Sequence, residues 1–265
     1  MLPVLMYHGL HADTGAPGRF DPVYSVHPDN FARQLDWLCK SGYRSVRFND
    51  LADGGVDGTA CGRRVVITFD DGDVSNVEIA LPLLLERDMV AEFFITSDFV
   101  GEPGMLDIDD VRTLARHGMG IGSHGRSHRF LEDLDADAME LELRESRARL
   151  EAWSGQRVDA LALPGGRGGR RELVVAAALG YRHLLGSVPG PNRHPGGGWI
   201  ERIAVTRKLS DAHFRQLVRW QGMTPWVVLA RHLALSIPKR LLGNAGYDTL
   251  RQRLLRQRPL RERLP

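Results

Sequence analysis

Cysteine is nearly absent: Cys39 and Cys61 are the only two among 265 residues. Two cysteines cannot build a disulfide framework or a thiolate zinc cluster, and both read as free thiols. Long apolar runs are missing as well. No stretch approaches the roughly 20 residues of a spanning helix, and Leu2 to Met6 is too short for the apolar core of a secretory leader, which points to the cytoplasm. Aromatic residues make up 7% and the formal net charge is +2, so the chain as a whole is not a polybasic binder. No internal repeat is visible, which leaves out solenoids and propellers. What remains is ordinary soluble composition, 43% hydrophobic and 26% charged, at a length that suits one α/β barrel.

The strongest local signal is Val65-Val66-Ile67-Thr68-Phe69-Asp70-Asp71-Gly72. β-Branched and aromatic residues favour a strand, and the strand ends in two adjacent carboxylates. Neighbouring buried carboxylates repel unless a cation partners them, although Asp-Asp-Gly also fits an ordinary turn. A second apolar segment, Gly120-Ile121-Gly122-Ser123, leads to His124 and His128. Four-residue spacing predicts a helical turn with both rings on one face. Two imidazoles and one carboxylate make a three-ligand set with open positions, as in catalytic metal sites.

Together, T-F-D-D-G and S-H-x-x-S-H resemble the polysaccharide deacetylases, the NodB-homology enzymes of carbohydrate esterase family 4, over roughly residues 1 to 215. The resemblance implies that Asp70 is the general base and that Asp71, His124 and His128 bind a divalent metal. Zinc is the default for such ligands, and nickel, cobalt or manganese also fit. The family's third motif, Arg-x-Pro-(Tyr or Phe)-Gly, corresponds to Ala162-Leu163-Pro164-Gly165-Gly166. Ala162 replaces an arginine that orients the base in relatives, and Arg167 is a candidate substitute. Gly165 would offer its backbone N–H to the oxyanion. The usual late Leu-x-His motif is not found. Instead, Met6-Tyr7-His8 resembles the opening of the poly-N-acetylglucosamine deacetylase branch, whose motif order is circularly permuted, and this makes His8 the candidate general acid, with His183 and His194 next in line.

Functional groups at the ends of several strands predict a parallel α/β barrel, distorted or incomplete, of about seven strands. Helices are expected at 31–39, 76–87, 135–153 and 171–179, and further strands at 44–47, 90–95, 181–185 and 200–205. The Gly-rich stretch 190–198 reads as a substrate-facing loop carrying Arg193 and His194, and Trp199 at its end could stack on a sugar or pack in the core.

Residues 1–222 are expected to form the barrel and 223–265 a basic amphipathic tail. From Lys239 onward the tail holds eight basic residues against two acidic ones, with leucines interleaved. Such a segment suits either an anionic lipid surface, at the inner face of the membrane, or packing on the barrel. Nucleic-acid binding is not expected, because the basic run lacks interleaved aromatics and any recognisable module. The expected activity is metal-dependent hydrolysis of an N-acetyl or other acyl group of an amino sugar, in a polysaccharide or in a lipid-linked precursor of exopolysaccharide assembly. The alternative, prompted by Ala162 and the displaced acid, is a weakened deacetylase fold serving as a glycan-binding or scaffold component.

Overall fold

A computed structural model describes residues 1–13, 18–19, 21–52, 62–190, 192 and 197–234. Cys61, Arg193, His194 and the tail from 235 lie outside the described residues. Among the described residues nine parallel strands form the sheet: β1 (Val4–Tyr7), β2 (Tyr43–Ser45), β3 (Arg63–Phe69), β4 (Glu92–Ile95), β5 (Gly120–Ser123), β6 (Ala160–Ala162), β7 (His183–Leu185), β8 (Gly198–Ile200) and β9 (Ile203–Ala204). Eight of them follow the order β8-β7-β6-β5-β4-β3-β1-β9, and β2 pairs with the start of β3.

The single strand expected at 200–205 is in fact two, β8 and β9, at opposite ends of this order. Only Glu201 and Arg202 join them. A chain spans at most about 3.6 Å per residue, so the two sheet edges approach within about 11 Å. The sheet is therefore curled into an open, distorted barrel, and Arg202 lies in its seam, fully buried.

Strand periodicity divides the side chains between two cores. Val65, Ile67 and Phe69 pack outward beneath the helices, whereas Val66 joins Val4, Phe94, Ala162 and Leu185 in a smaller cluster within the barrel. Thr68 and Asp70 continue the inward-facing series. Asp70 is thus carried into the barrel by the same alternation that buries Val66.

The covering helices are α1 (Pro28–Lys40), α2 (Phe48–Ala52), α3 (Leu81–Leu85), α4 (Ile108–Arg116), α5 (Ala136–Ser154), α6 (Arg170–Ala178) and α7 (Asp211–Arg219). A π-helical turn, Asn76–Ala80, leads into α3. Sequence periodicity did not single out α4, yet Asp107 and Asp110 cap each other's backbone there in a reciprocal box. A further helix spans 224–234, with Val228 packed against the core. Among the described residues no helix is long and apolar enough to cross a membrane.

At the end of the barrel where strands begin, Glu92 is buried and its Oε1 accepts the Phe48 N–H at 2.8 Å. Burial, aided by the charges of Asp159 and Asp50, outweighs that bond and Arg47, pushing the carboxyl up to about 7. The folded protein therefore holds this proton more tightly than the unfolded chain. The associated stability is complete below the ordinary value of 4.5 and is lost as pH rises through about 7. Urea unfolding should show stability falling by about 3 kcal/mol across that window, relative to a Glu92→Gln variant that keeps the acceptor without the charge. Identical slopes in the two proteins would overturn this.

Candidate active site

Asp70 and Asp71 leave the end of β3, His8 follows β1, His124 follows β5 and Gly165 follows β6. Parallel strands bring these ends to one rim. Asp71 adopts φ 74° and Gly72 φ 93°, a backbone reversal that turns Asp71 out of the barrel while Asp70 stays in. His128 is also left-handed, at φ 61°. Non-glycine residues hold such conformations at a cost of about 1–3 kcal/mol each, and they cluster at functional sites.

The segment 124–128 is a loop, not the helical turn expected from its spacing. Gly125 at φ 79° breaks the helical path, and Glu142 of α5 secures the loop by accepting from the Ser127 N–H and hydroxyl. The two imidazoles still converge. His124 Nε2 and His128 Nε2 each lie 3.4 Å from Asp71 Oδ1, and one ligand atom from each residue falls within 4.8 Å of the others. His124 Nδ1 lies 2.8 Å from the Ala162 carbonyl. A carbonyl only accepts, so Nδ1 carries the proton and Nε2 offers its lone pair to the cluster, the usual tautomer of a metal-ligating histidine. Asp71 Oδ1 is buried without a hydrogen-bond partner. An orphaned carboxylate oxygen facing two imidazole nitrogens fits a divalent cation.

Asp71 and His128 are held in the charge states that a cation needs. For Asp71, burial opposes ionisation, but the neighbouring His124, then the charges of His8 and His128, hold the carboxyl well below its usual range. Burial, followed by the neighbouring His124, pushes His128 down to about 4 and keeps it neutral. Burial also opposes charge on His124, yet Asp70 and Asp71 outweigh it and the net shift is upward.

The partner of Asp70 is Arg202, which sequence reasoning missed. Arg202 Nη1 reaches Asp70 Oδ1 at 2.6 Å and Nη2 reaches Oδ2 at 2.8 Å, while Nε donates to the Gly186 carbonyl at 2.8 Å. Burial alone would raise the Asp70 carboxyl, but the charge of Arg202, then that of His124, carries it below the usual value. Arg167, the substitute expected from sequence, does not meet Asp70. Its guanidinium lies 4.5 Å from the Phe130 ring centre and 3.6 Å from Glu132. Ala162 faces inward, and Arg202 arrives from the barrel seam. No sequence motif announces it, because the contact spans 132 positions.

His8 is half-buried, stacked on Tyr24 at 4.8 Å, with Nδ1 unpartnered. Its loop is tied to the segment after Asp71. Asn76 Nδ2 donates to the His8 carbonyl at 2.9 Å, and the Leu10 N–H donates to Ser75 Oγ at 2.8 Å. Gly165 sits at φ 65°, and a Cβ there would lie 2.5 Å from the Phe130 ring, so the position leaves no room for a side chain. His183 opens β7 at the opposite end of the barrel, against Phe48, and is not part of this rim. Trp199 packs against the core and donates to Glu201 at 2.9 Å.

An open parallel barrel with a carboxylate and two imidazoles at its rim has the donor set that a catalytic metal site would use. Residues 57–184 match the sequence model of the polysaccharide deacetylase family, so this stretch is a polysaccharide deacetylase domain of the NodB-homology class, whose members are hydrolases acting on amide-bonded acyl groups of polysaccharides. The chain is 26% identical over 218 residues to YxkH of Bacillus subtilis (strain 168), named provisionally as a polysaccharide deacetylase, covering 80% of this chain and 74% of that protein. Solved structures share the fold. The deacetylase PplD of Streptococcus pyogenes, in complex with acetate, aligns with a TM-score of 0.73 at 24% identity, over 82% of this chain and 97% of that one. IcaB from Ammonifex degensii aligns with a TM-score of 0.67 at 24% identity, over 83% and 96%.

Proposed function

We propose that this chain is a metal-dependent N-deacetylase of an amino sugar, carried in a polysaccharide or in a lipid-linked glycan precursor. The observation that carries the reading is the convergence of Asp71, His124 and His128 beside a buried, arginine-clamped Asp70. Asp71 Oδ1 and the two Nε2 atoms would hold the divalent ion, and zinc is its default identity. When bound, such an ion supplies Lewis acidity toward the acyl carbonyl.

The remaining steps belong to this chain's own groups. Asp70 takes a proton from the attacking water on one carboxylate oxygen. Arg202 occupies one lone pair of each oxygen and leaves the others available, fixing the plane of the base. The Gly165 N–H donates to the developing oxyanion. His8, whose Nδ1 has no competing partner, delivers a proton to the departing amine as the C–N bond breaks. The free amine and the acid are the products. Ala162 prompted the idea of a weakened, scaffold-type protein, and Arg202 supplies the partner whose loss motivated it.

The test is release of acetate from chitooligosaccharides, poly-N-acetylglucosamine fragments and lipid-linked sugars. Activity is expected to disappear on chelation and return with added metal. His8→Ala should keep the fold and its bound metal while turnover falls about 10²-fold or more. Chelator-resistant activity, or full turnover by that variant, would overturn the corresponding assignment.

A further inference from the structure

The helix at 224–234 turns the wrong side outward for a surface helix. Met223 is 72% exposed and Trp226 and Val227 are each 58% exposed, and Ala230 is exposed as well. At about 100° per residue, these four positions fall within a sector of about 100°. Pro225 and Val228 occupy the side facing the body, where Val228 meets the core. The helix is firmly seated: Trp226 lies 6.3 Å from Trp220, and Thr224 hydrogen-bonds Gln216 of α7. Both faces are apolar, although a surface helix ordinarily presents polar residues to water.

Where α7 ends, one residue before the Trp220 that meets Trp226 of this helix, is a cavity of about 420 Å³ lined by Met1, Tyr43, Arg63, Arg64, Val218 and Arg219 among others. Among the described residues no carboxylate lines it. Arg63 and Arg219 lie instead over the rings of Tyr43 and Trp37, at 5.7 and 5.1 Å. Arg63 opens β3 and Asp70 follows its end. A seven-residue strand is about 23 Å long, so the arginines mark the pole opposite the catalytic rim. The sequence beyond this helix continues the same sign, with eight basic residues against two acidic ones from Lys239.

We propose that this pole docks on an anionic phospholipid surface. Its arginines meet headgroup phosphates, and Met223, Trp226 and Val227 enter the interfacial layer. Aromatic and aliphatic side chains beside basic residues are the composition of an interfacial element. A stable protein interface uses roughly 20–30 residues a side, far more than this narrow stripe supplies, whereas lipid insertion needs only a few. The catalytic rim then faces away from the membrane.

The experiment is co-sedimentation of the full chain with vesicles of phosphatidylglycerol and phosphatidylcholine, against phosphatidylcholine alone, at about 0.1 M and 1 M salt. The chain is expected to sediment with the anionic vesicles at low salt only. Removing Arg63 and Arg64 as alanines should lower partitioning about five-fold for each charge, and Met223→Asp with Val227→Asp about ten-fold or more. Both double variants should release acetate from soluble oligosaccharides as the parent does. Equal binding to neutral vesicles, absence of binding, or binding indifferent to both variants would overturn the proposal. So would a concentration-dependent dimer that Val227→Asp abolishes, since a second copy would then own the face.

Discussion

Arg202→Ala is expected to destabilise the protein by about 3–5 kcal/mol, the cost of stranding one member of a buried ion pair, and to lower kcat far more than it changes KM. Asp70 is 2% exposed and Arg202 fully buried, so water cannot replace the lost guanidinium. Arg202→Lys should recover part of the stability and little of the rate. An ammonium is a point charge and cannot reproduce a planar fork with two parallel N–H bonds. Urea unfolding and steady-state kinetics on a soluble acetylated oligosaccharide check both statements. A lysine variant with the parent's kcat would show that charge suffices and that geometry does not matter.

The second large effect separates ligands from base. His124→Ala is expected to abolish bound metal, measured by elemental analysis after dialysis, because it removes one donor from a three-donor set and frees the Ala162 carbonyl that oriented it. Asp70→Asn should keep its metal and lose about 10²–10⁴ in rate. Asparagine is nearly isosteric, yet its amide nitrogen faces an arginine that can only donate, so one hydrogen bond of the fork is lost along with the base. Comparable metal loss in both variants would overturn the division of roles.

Much of this rim was legible because each group follows a short apolar strand. The run from Val65 to Phe69 carries strand propensity at every position, and alternation alone places Asp70 on the side of Val66 and Thr68. His124 and His128 were found through spacing, but the shape of their loop was not, since Gly125 permits a left-handed turn that periodicity takes for a helix. The α4 helix had its signal in Asp107 and Asp110, a cap that apolar spacing does not register. Arg202 was out of reach for a different reason. Its neighbours in sequence, Ile200 and Ile203, read as one continuous strand, and nothing local reveals that the chain crosses there from one edge of the sheet to the other. The role of the Ala162 carbonyl is equally hidden, because the main chain performs it and any residue would supply it.

The seam also sets an order of events during synthesis. A ribosome adding about 5–20 residues per second completes Asp70 on the order of ten seconds before Arg202, which lies 132 positions later. During that interval the carboxylate has no cation to accompany it into the barrel, and desolvating it alone is costly. Asp70 therefore gains its buried partner only when the last strands arrive, from the residue that lies in the barrel's seam. A nascent chain stopped before the seam has Asp71, His124 and His128 in its sequence, yet no Arg202 to clamp Asp70.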